Sequence, residues 1–199
     1  MIRVLGKIPN KITIAVSGGP DSMAALDFLS RRRDVSAAFF HHDTDASEKG
    51  FSLVKTYCEK HGIEFSAAFL DRARRVEKSQ EEFWREERYR FFESLDTEVI
   101  TCHHLDDAVE WWIFSAMHGN PKLIPYQRPG YLRPFLLNKK TVLIDWCRRH
   151  NVPYINDPSN RDPIYMRSHI RRNVIPPILK VNPGIHKVIK KKILDSYNS

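Results

Sequence analysis

Residues 14–24 read Ile-Ala-Val-Ser-Gly-Gly-Pro-Asp-Ser-Met-Ala, and the way this stretch is read decides the fold. Thr13 to Val16 is short, apolar and β-branched, which predicts a buried strand. The run breaks at Ser17-Gly18-Gly19-Pro20-Asp21-Ser22, and a helix-prone stretch follows to about Arg33. Gly18 and Gly19 bury no side chain; they allow unusual backbone angles and let a ligand come close to the chain. Asp21 or Ser22 is placed to cap the helix. A helix N-terminus beneath a glycine turn presents free N–H groups, which suits a phosphate. An ordinary strand–turn–helix corner would use the same residue types. It is not a Walker loop, because no Gly-Lys-Ser/Thr follows, and the third glycine of the dinucleotide pattern is missing.

Outward from this corner, strands and helices alternate. Strands are expected at Val35–Phe40, Ile63–Leu70, Glu98–Thr101 and, briefly, Val152–Ile155. Helices are expected from Ser47 to a stop at Gly62, from the capping box Ser79-Gln80-Glu81-Glu82 to about Leu95, and from Leu105 to His118. Residues 120–135 read as a loop, Asn138 as the cap of a helix through His150, and Arg167 onward as helix broken near Asn182-Pro183-Gly184. The pattern predicts an α/β, Rossmann-like fold: a parallel five-stranded sheet, helices on both faces, and a basic helical C-terminal tail. We expect a catalytic domain over 1–160 and a helical segment over 161–199 packed on it. Ligands of such sheets sit at the C-terminal strand ends. The loops carrying Ser17–Ser22, His41–Asp45 and Cys102–Asp107 should therefore converge.

The 199 residues suffice for one domain with a small appendage, and 42% hydrophobic residues allow a real core. No apolar run approaches the length of a membrane span, and Met1-Ile2-Arg3-Val4 opens no secretory signal. Cys58, Cys102 and Cys147 are far apart with no CxxC, which speaks against a structural zinc site and for a reducing, cytoplasmic setting. The net charge of +8 is concentrated: nine Lys or Arg follow Asn160 against only Asp162 and Asp195. Such a segment is the footprint of a nucleic-acid binder, or else a solvated helical face. Arg167, Arg171 and Arg172 favour the first, since arginine suits bidentate phosphate contact.

Two further stretches carry chemistry. In Cys102-His103-His104-Leu105-Asp106-Asp107-Ala108-Val109-Glu110, Asp107 and Glu110 share a helix face. Capping by Asp106 or Asp107, a metal site, and acid–base chemistry all fit that spacing. Asn156 to Pro176 is a proline-rich polar loop leading into a basic helix, with Arg167 and Arg171 one turn apart.

SGGPDS resembles the SGGxDS pyrophosphate-binding PP-loop of the ATP pyrophosphatases, which cleave ATP between the α and β phosphates. The whole set resembles the tRNA(Ile)-lysidine synthetase family. That family carries SGGxDS, an HHLDDxxE-like stretch and a D-x-SN…R-N-x-I-R-like stretch in this order. Here they stand as Ser17 to Ser22, His103 to Glu110, and Asp157-Pro158-Ser159-Asn160 with Arg167 to Arg171. Glu81, Arg85, Arg88 and Tyr89 look like its E-x-x-x-R-x-x-R-Y helix. The resemblance covers about residues 10–180. The departures are His42-Asp43-Thr44-Asp45 for a DHGLR-like stretch, Ser168 for an Asn and Trp111 for a Thr. Bacterial members commonly carry further C-terminal domains, so the chain reads as a minimal form; its grip on tRNA would come from the basic tail, a homodimer partner or another protein.

The resemblance implies an adenine nucleotide alpha hydrolase-type fold and a cytoplasmic ligase that uses ATP and Mg²⁺. ATP would adenylate O2 of the wobble cytidine in a tRNA(Ile) with a CAU anticodon, and free lysine would then displace AMP. Ser17, Gly18, Gly19, Pro20, Asp21 and Ser22 would hold ATP, with Asp21 toward the metal. His104, Asp107 and Glu110 would be catalytic, His104 as proton acceptor and the acids toward the lysine ammonium. Arg85, Arg88, Arg167, Arg171, Arg172, Lys190 and Lys191 would bind tRNA or ATP phosphates. Rival readings are tRNA 2-thiolation, with Cys102 as the suggestive residue, an amidating enzyme of the NAD or GMP synthetase kind, and a tRNA-binding module without catalysis.

Overall fold

Apolar side chains on alternate positions build the central strand. In β1 (Lys11–Val16), Ile12 and Ile14 are fully buried and Val16 nearly so. In the computed structural model, which describes residues 1–71, 79–156 and 166–198, β1 is flanked by β2 (Asp34–His41) and β4 (Val99–Ile100). β3 (Glu64–Phe69) pairs with β2, and β6 (Tyr131–Leu132) with β4, all in parallel. β5 (Gln127–Arg128) closes the edge antiparallel to β6, giving the order β3-β2-β1-β4-β6-β5.

Helices cover both faces. α1 (Pro20–Ser30), α2 (Asp45–His61) and α5 (Lys140–Arg149) bury Met23, Leu26, Leu29, Val54 and Leu143 with the sheet and Phe135. α3 (Gln80–Glu93) covers the other face, where Phe92 meets Ala38, Val99 and Tyr131. α4 (Leu105–Met117) leads to a further apolar cluster. α6 (Met166–His169), a π-helical turn over Ile170–Val174 and α7 (Ile175–Val181) follow, and α8 (Ile185–Asn198) buries Ile185, Ile189 and Ile193 against α4. Among the described residues no helix is long and apolar enough to cross a membrane.

Two expectations for the sheet are corrected. Residues 152–155 do not join it: Pro153 offers no N–H to a ladder, and Ile155 N instead donates to Gly18 O at 2.9 Å. Two short strands form instead within the expected loop, where Pro129-Gly130, with Gly130 at φ +76°, turns the chain between β5 and β6, so the sheet has six strands rather than five and one antiparallel edge. Helix ends shift as well. Asn138 does not cap α5; Lys139 holds that position without a side-chain cap bond, and Asn138 is buried against the N-terminal segment.

Candidate active site

The strand order reverses between β1 and β4, so a crevice opens at their C-terminal ends. The 17–22 turn and the start of α4 meet there. Gly18 has φ +79°, and a Cβ on it would lie 2.9 Å from the Gly50 Cα. The turn thus packs backbone to backbone against α2. Gly19, not Asp21 or Ser22, occupies the N-cap of α1, with ordinary angles (φ −74°) and no side-chain cap bond. The Ser22 hydroxyl accepts from Ser17 N at 3.1 Å and donates to Gly19 O at 3.0 Å, which holds the turn in shape. A Cβ on Gly19 would approach only Ser17 Oγ, at 3.4 Å. Open space therefore lies over an uncapped helix N-terminus, the arrangement that attracts anions.

Asp21 turns away from the cap position toward Lys140 and His104. Its Oδ2 accepts from Lys140 Nζ at 3.0 Å and lies 3.7 Å from His104 Nε2. Its Oδ1 is buried without a hydrogen-bond partner. A buried carboxylate oxygen without a hydrogen-bond partner, next to an uncapped helix N-terminus, fits Mg²⁺, which takes one or two carboxylates and completes its shell with phosphate oxygens and water.

His104 caps α4. Its Nδ1 accepts from Asp107 N at 3.3 Å, and Asp107 Oδ2 accepts from His104 N at 2.9 Å, a reciprocal capping box. With Nδ1 an acceptor, the neutral ring carries its proton on Nε2, toward Asp21. His104 is thus a buried cap and a donor, a geometry that departs from the open proton acceptor expected. Asp106 also serves the helix end: its Oδ2 accepts from Lys140 N at 2.7 Å and its Oδ1 lies 3.1 Å from His186 Nε2 on α8. Burial pushes the Asp106 carboxyl up, but the Lys140 amide and the two imidazoles outweigh it and leave it below the usual range.

Glu110 and Asp107 face Arg171 in the π-helical turn. Arg171 donates to Glu110 Oε2 from Nε at 3.0 Å and from Nη2 at 2.8 Å, with Asp107 Oδ1 at 3.6 Å. Burial pulls the guanidinium down; Glu110, Asp107 and Asp21 more than offset this and raise it. Arg171, read from sequence as a phosphate contact, is therefore paired with the acids. Cys102 sits close by, with its Sγ 3.9 Å from Ala15 O. Burial pushes its thiol well up, and the carboxylates of Asp21 and Asp107 add to that, so it stays protonated.

Of the residues singled out in the sequence, Ser17, Gly18, Gly19, Pro20, Asp21, Ser22, His104, Asp107, Glu110 and Arg171 come together here. Arg85 and Arg88 lie on α3, where both approach the Tyr89 ring, with Arg128 of β5 over the same ring at 5.4 Å. Lys190 and Lys191 lie on α8, and Arg172 is exposed after Arg171. His41–Asp45 serves α2 locally: Thr44 accepts from Ser47 N and caps the helix. Asp157 to Asn160, Arg161 and the side chains of Glu81 and Arg167 lie outside the described residues. Sequence reading missed Lys140, His186 and Gly50. A glycine inside a helical pattern was a signal for Gly50; the other two had none, being single members of a long basic series.

This turn, crevice and helix end define a nucleotide-binding α/β domain of the PP-loop kind. The PP-loop domain family matches residues 3–178, and the chain belongs to that family. Among its relatives it is similar to the bifunctional protein TilS/HprT of Listeria innocua, 33% identical over 92% of this chain and 32% of that protein. It is also similar to the tRNA(Ile)-lysidine synthase of Bacillus licheniformis, 32% identical over 86% of this chain and 41% of that one. The chain thus spans less than half the length of these relatives. Among solved structures, the U34-tRNA thiolase NcsA of Methanococcus maripaludis with its [4Fe-4S] cluster superposes with a TM-score of 0.72 at 16% identity, over 96% of this chain and 74% of that one. At that identity the likeness concerns the fold.

Proposed function

We propose that this chain uses ATP to join free lysine to the wobble cytidine of a tRNA(Ile) with a CAU anticodon, as the names of its relatives suggest. The observation that carries the reading is the meeting, in one place, of an open PP-loop and an acid pair on α4. Asp107 and Glu110 share one face of that helix and both approach Arg171. A carboxylate pair beside a nucleotide site is what recognition of an ammonium, such as that of free lysine, requires.

In this reading each residue has a role that its position supports. The N–H groups at Gly19 and the first turn of α1 cradle the β and γ phosphates and stabilise the pyrophosphate as it leaves. Asp21 would hold Mg²⁺ through Oδ1, and the metal when bound would share the phosphate charge. Lys140 Nζ, 3.0 Å from Asp21, is placed to follow the charge that develops on the α-phosphate. Cytosine O2 attacks that phosphorus, and pyrophosphate departs. The lysine ε-ammonium, brought by Asp107 and Glu110, passes a proton to that carboxylate pair; the free amine then attacks C2, and AMP leaves with the C2–O2 bonding pair. Arg171 orients Glu110; His104 positions the α4 end and Asp21. Cys102 has no cysteine within forty residues on either side, which speaks against the paired thiols of a sulfur relay and hence against 2-thiolation.

The test is purified protein with ATP, Mg²⁺, radiolabelled lysine and total tRNA. ATP-dependent label in RNA, with AMP and pyrophosphate released, is expected. ATP cleavage without lysine transfer, or a requirement for sulfide, overturns the proposal.

A further inference from the structure

Away from the acid pair, four cations surround one hollow. Arg3, Lys139, Lys187 and Lys190 line a cavity of about 270 Å³ together with Asn138 and His186. They come from three separate segments. Asn138 stitches the N-terminal one in place, donating to Arg3 O at 2.6 Å and accepting from Arg3 N at 2.7 Å. No carboxylate lines the cavity, and none of the four cations is paired with one among the described residues. His186 adds a buried Nδ1 with no hydrogen-bond partner, its Nε2 being committed to Asp106. Four like charges around one hollow repel one another unless an anion sits between them.

The charge continues beyond the cavity. A second hollow, about 460 Å³, shares Lys187 and is lined by Lys191 and Lys192 farther along α8, with Asp195 at its end, so cations outnumber the carboxylate three to one. Lys187 and Lys191 stand one helical turn apart, about 6 Å along the axis. A row of this kind suits a polyanion; a lone small anion needs only one hollow. We propose that the cavity seats a backbone phosphate of an RNA strand whose next phosphates run along α8. This rests on the reading of the substrate as RNA. The wall of the cavity is tied to the PP-loop: His186 meets Asp106, Asp106 takes the Lys140 amide, and Lys140 Nζ reaches Asp21. A phosphate seated here is anchored on the element that carries the acid pair.

The test is the salt dependence of RNA binding by the full chain, read by fluorescence anisotropy with a tRNA(Ile) CAU transcript and with a single-stranded oligonucleotide. The Arg3→Gln/Lys139→Gln variant should lower the slope of log affinity against log salt by roughly 0.7, the share of the one single-strand phosphate that is no longer neutralised. Arg3→Lys/Lys139→Arg should keep the parent slope. Should the double variant fail to fold, Lys139→Gln alone, an exposed residue whose side chain makes no cap bond, should lower it in the same direction, by a part of that roughly 0.7. An unchanged slope overturns the proposal. So does protection of the parent protein, but not the variant, against unfolding by inorganic phosphate while RNA binding is unaltered, because the cavity then holds a free anion. Lysine transfer by the parent protein is scored separately: transfer with an unchanged slope defeats this inference alone, and an altered slope without transfer defeats the assigned reaction alone.

Discussion

Gly50 lies inside α2, where sequence rules make Ala the better residue by about 1 kcal/mol. The structure reverses the sign. A Cβ on Gly50 would lie 2.7 Å from the Ser17 carbonyl oxygen and 3.3 Å from two ring atoms of Phe39. The first contact is with backbone, so no rotamer change relieves it. Either α2 withdraws from the sheet or the Ser17–Gly18–Gly19 turn moves by several tenths of an ångström. Overpacking of this kind costs about 1–3 kcal/mol, so Gly50→Ala should be net destabilised by about 1 kcal/mol after the helix gain. For a chain of this size that is a fall in Tm of about 2–4 °C. The larger effect is on ATP: Ser17 N, Ser22 and Gly19 form one hydrogen-bonded unit, and displacing it misaligns the phosphate cradle. Calorimetry and ATP titration measure the two effects. Gly19→Val is the contrasting variant, since a Cβ there meets no backbone; it should keep the parent Tm and lose ATP. A Gly50→Ala protein with a raised Tm and parental ATP affinity would refute the packing argument.

Asp27 is buried among Arg31, Tyr57 and Trp146, all hydrogen-bonded to its carboxylate. Burial pushes its pKa up, but those bonds prevail and hold it below the ordinary value. The stability it contributes is present above about pH 3.9 and is lost as pH falls through the lower folded value. Asp27→Asn should therefore flatten the acid limb of Tm against pH, and parallel limbs would contradict this. Asp107→Asn and Glu110→Gln should each weaken lysine transfer more than AMP–RNA formation, measured separately; equal losses would assign the pair to ATP or its metal. Asp21→Asn, which removes the charge at the proposed metal donor, should raise the Mg²⁺ concentration for half-maximal turnover about tenfold, roughly 1.4 kcal/mol of metal affinity. An unaltered Mg²⁺ titration would exclude Asp21 as that donor.

Local rules made much of this domain legible. The alternation of strands and helices, the stop of α2 at Gly62 in the left-handed region, and the Ser79 cap of α3 all rest on neighbours within a few residues. So does the convergence of the loops after β1 and β4, which follows from parallel topology. What escaped depends on partners distant in sequence. Asn138 is a good cap residue, yet its amide is worth more joining Arg3 in a buried contact 135 residues away. Residues 152–155 have strand composition, but they cross the PP-loop at Gly18 and bury Val152 in the core instead of joining the sheet. The acids at 107 and 110 were legible as a pair; that Arg171 would occupy them was not, because arginine near a phosphate site reads equally well as a phosphate ligand.

The basic tail posed a choice between a nucleic-acid surface and a solvated helical face, and α8 does not divide along that line. Ile185, Ile189 and Ile193 recur every fourth residue and are buried against α4, so the helix is part of the core. The same periodicity turns Lys187, Lys191 and Lys192 outward. Cations on the outer face and apolar residues on the inner one are thus rigidly coupled. His186, between them, bonds to Asp106 at the head of α4, two residues from the His104 cap and four from Glu110. A ligand on the lysines would therefore sit on a helix joined by a direct side-chain contact to the end of α4 that carries Asp107 and Glu110.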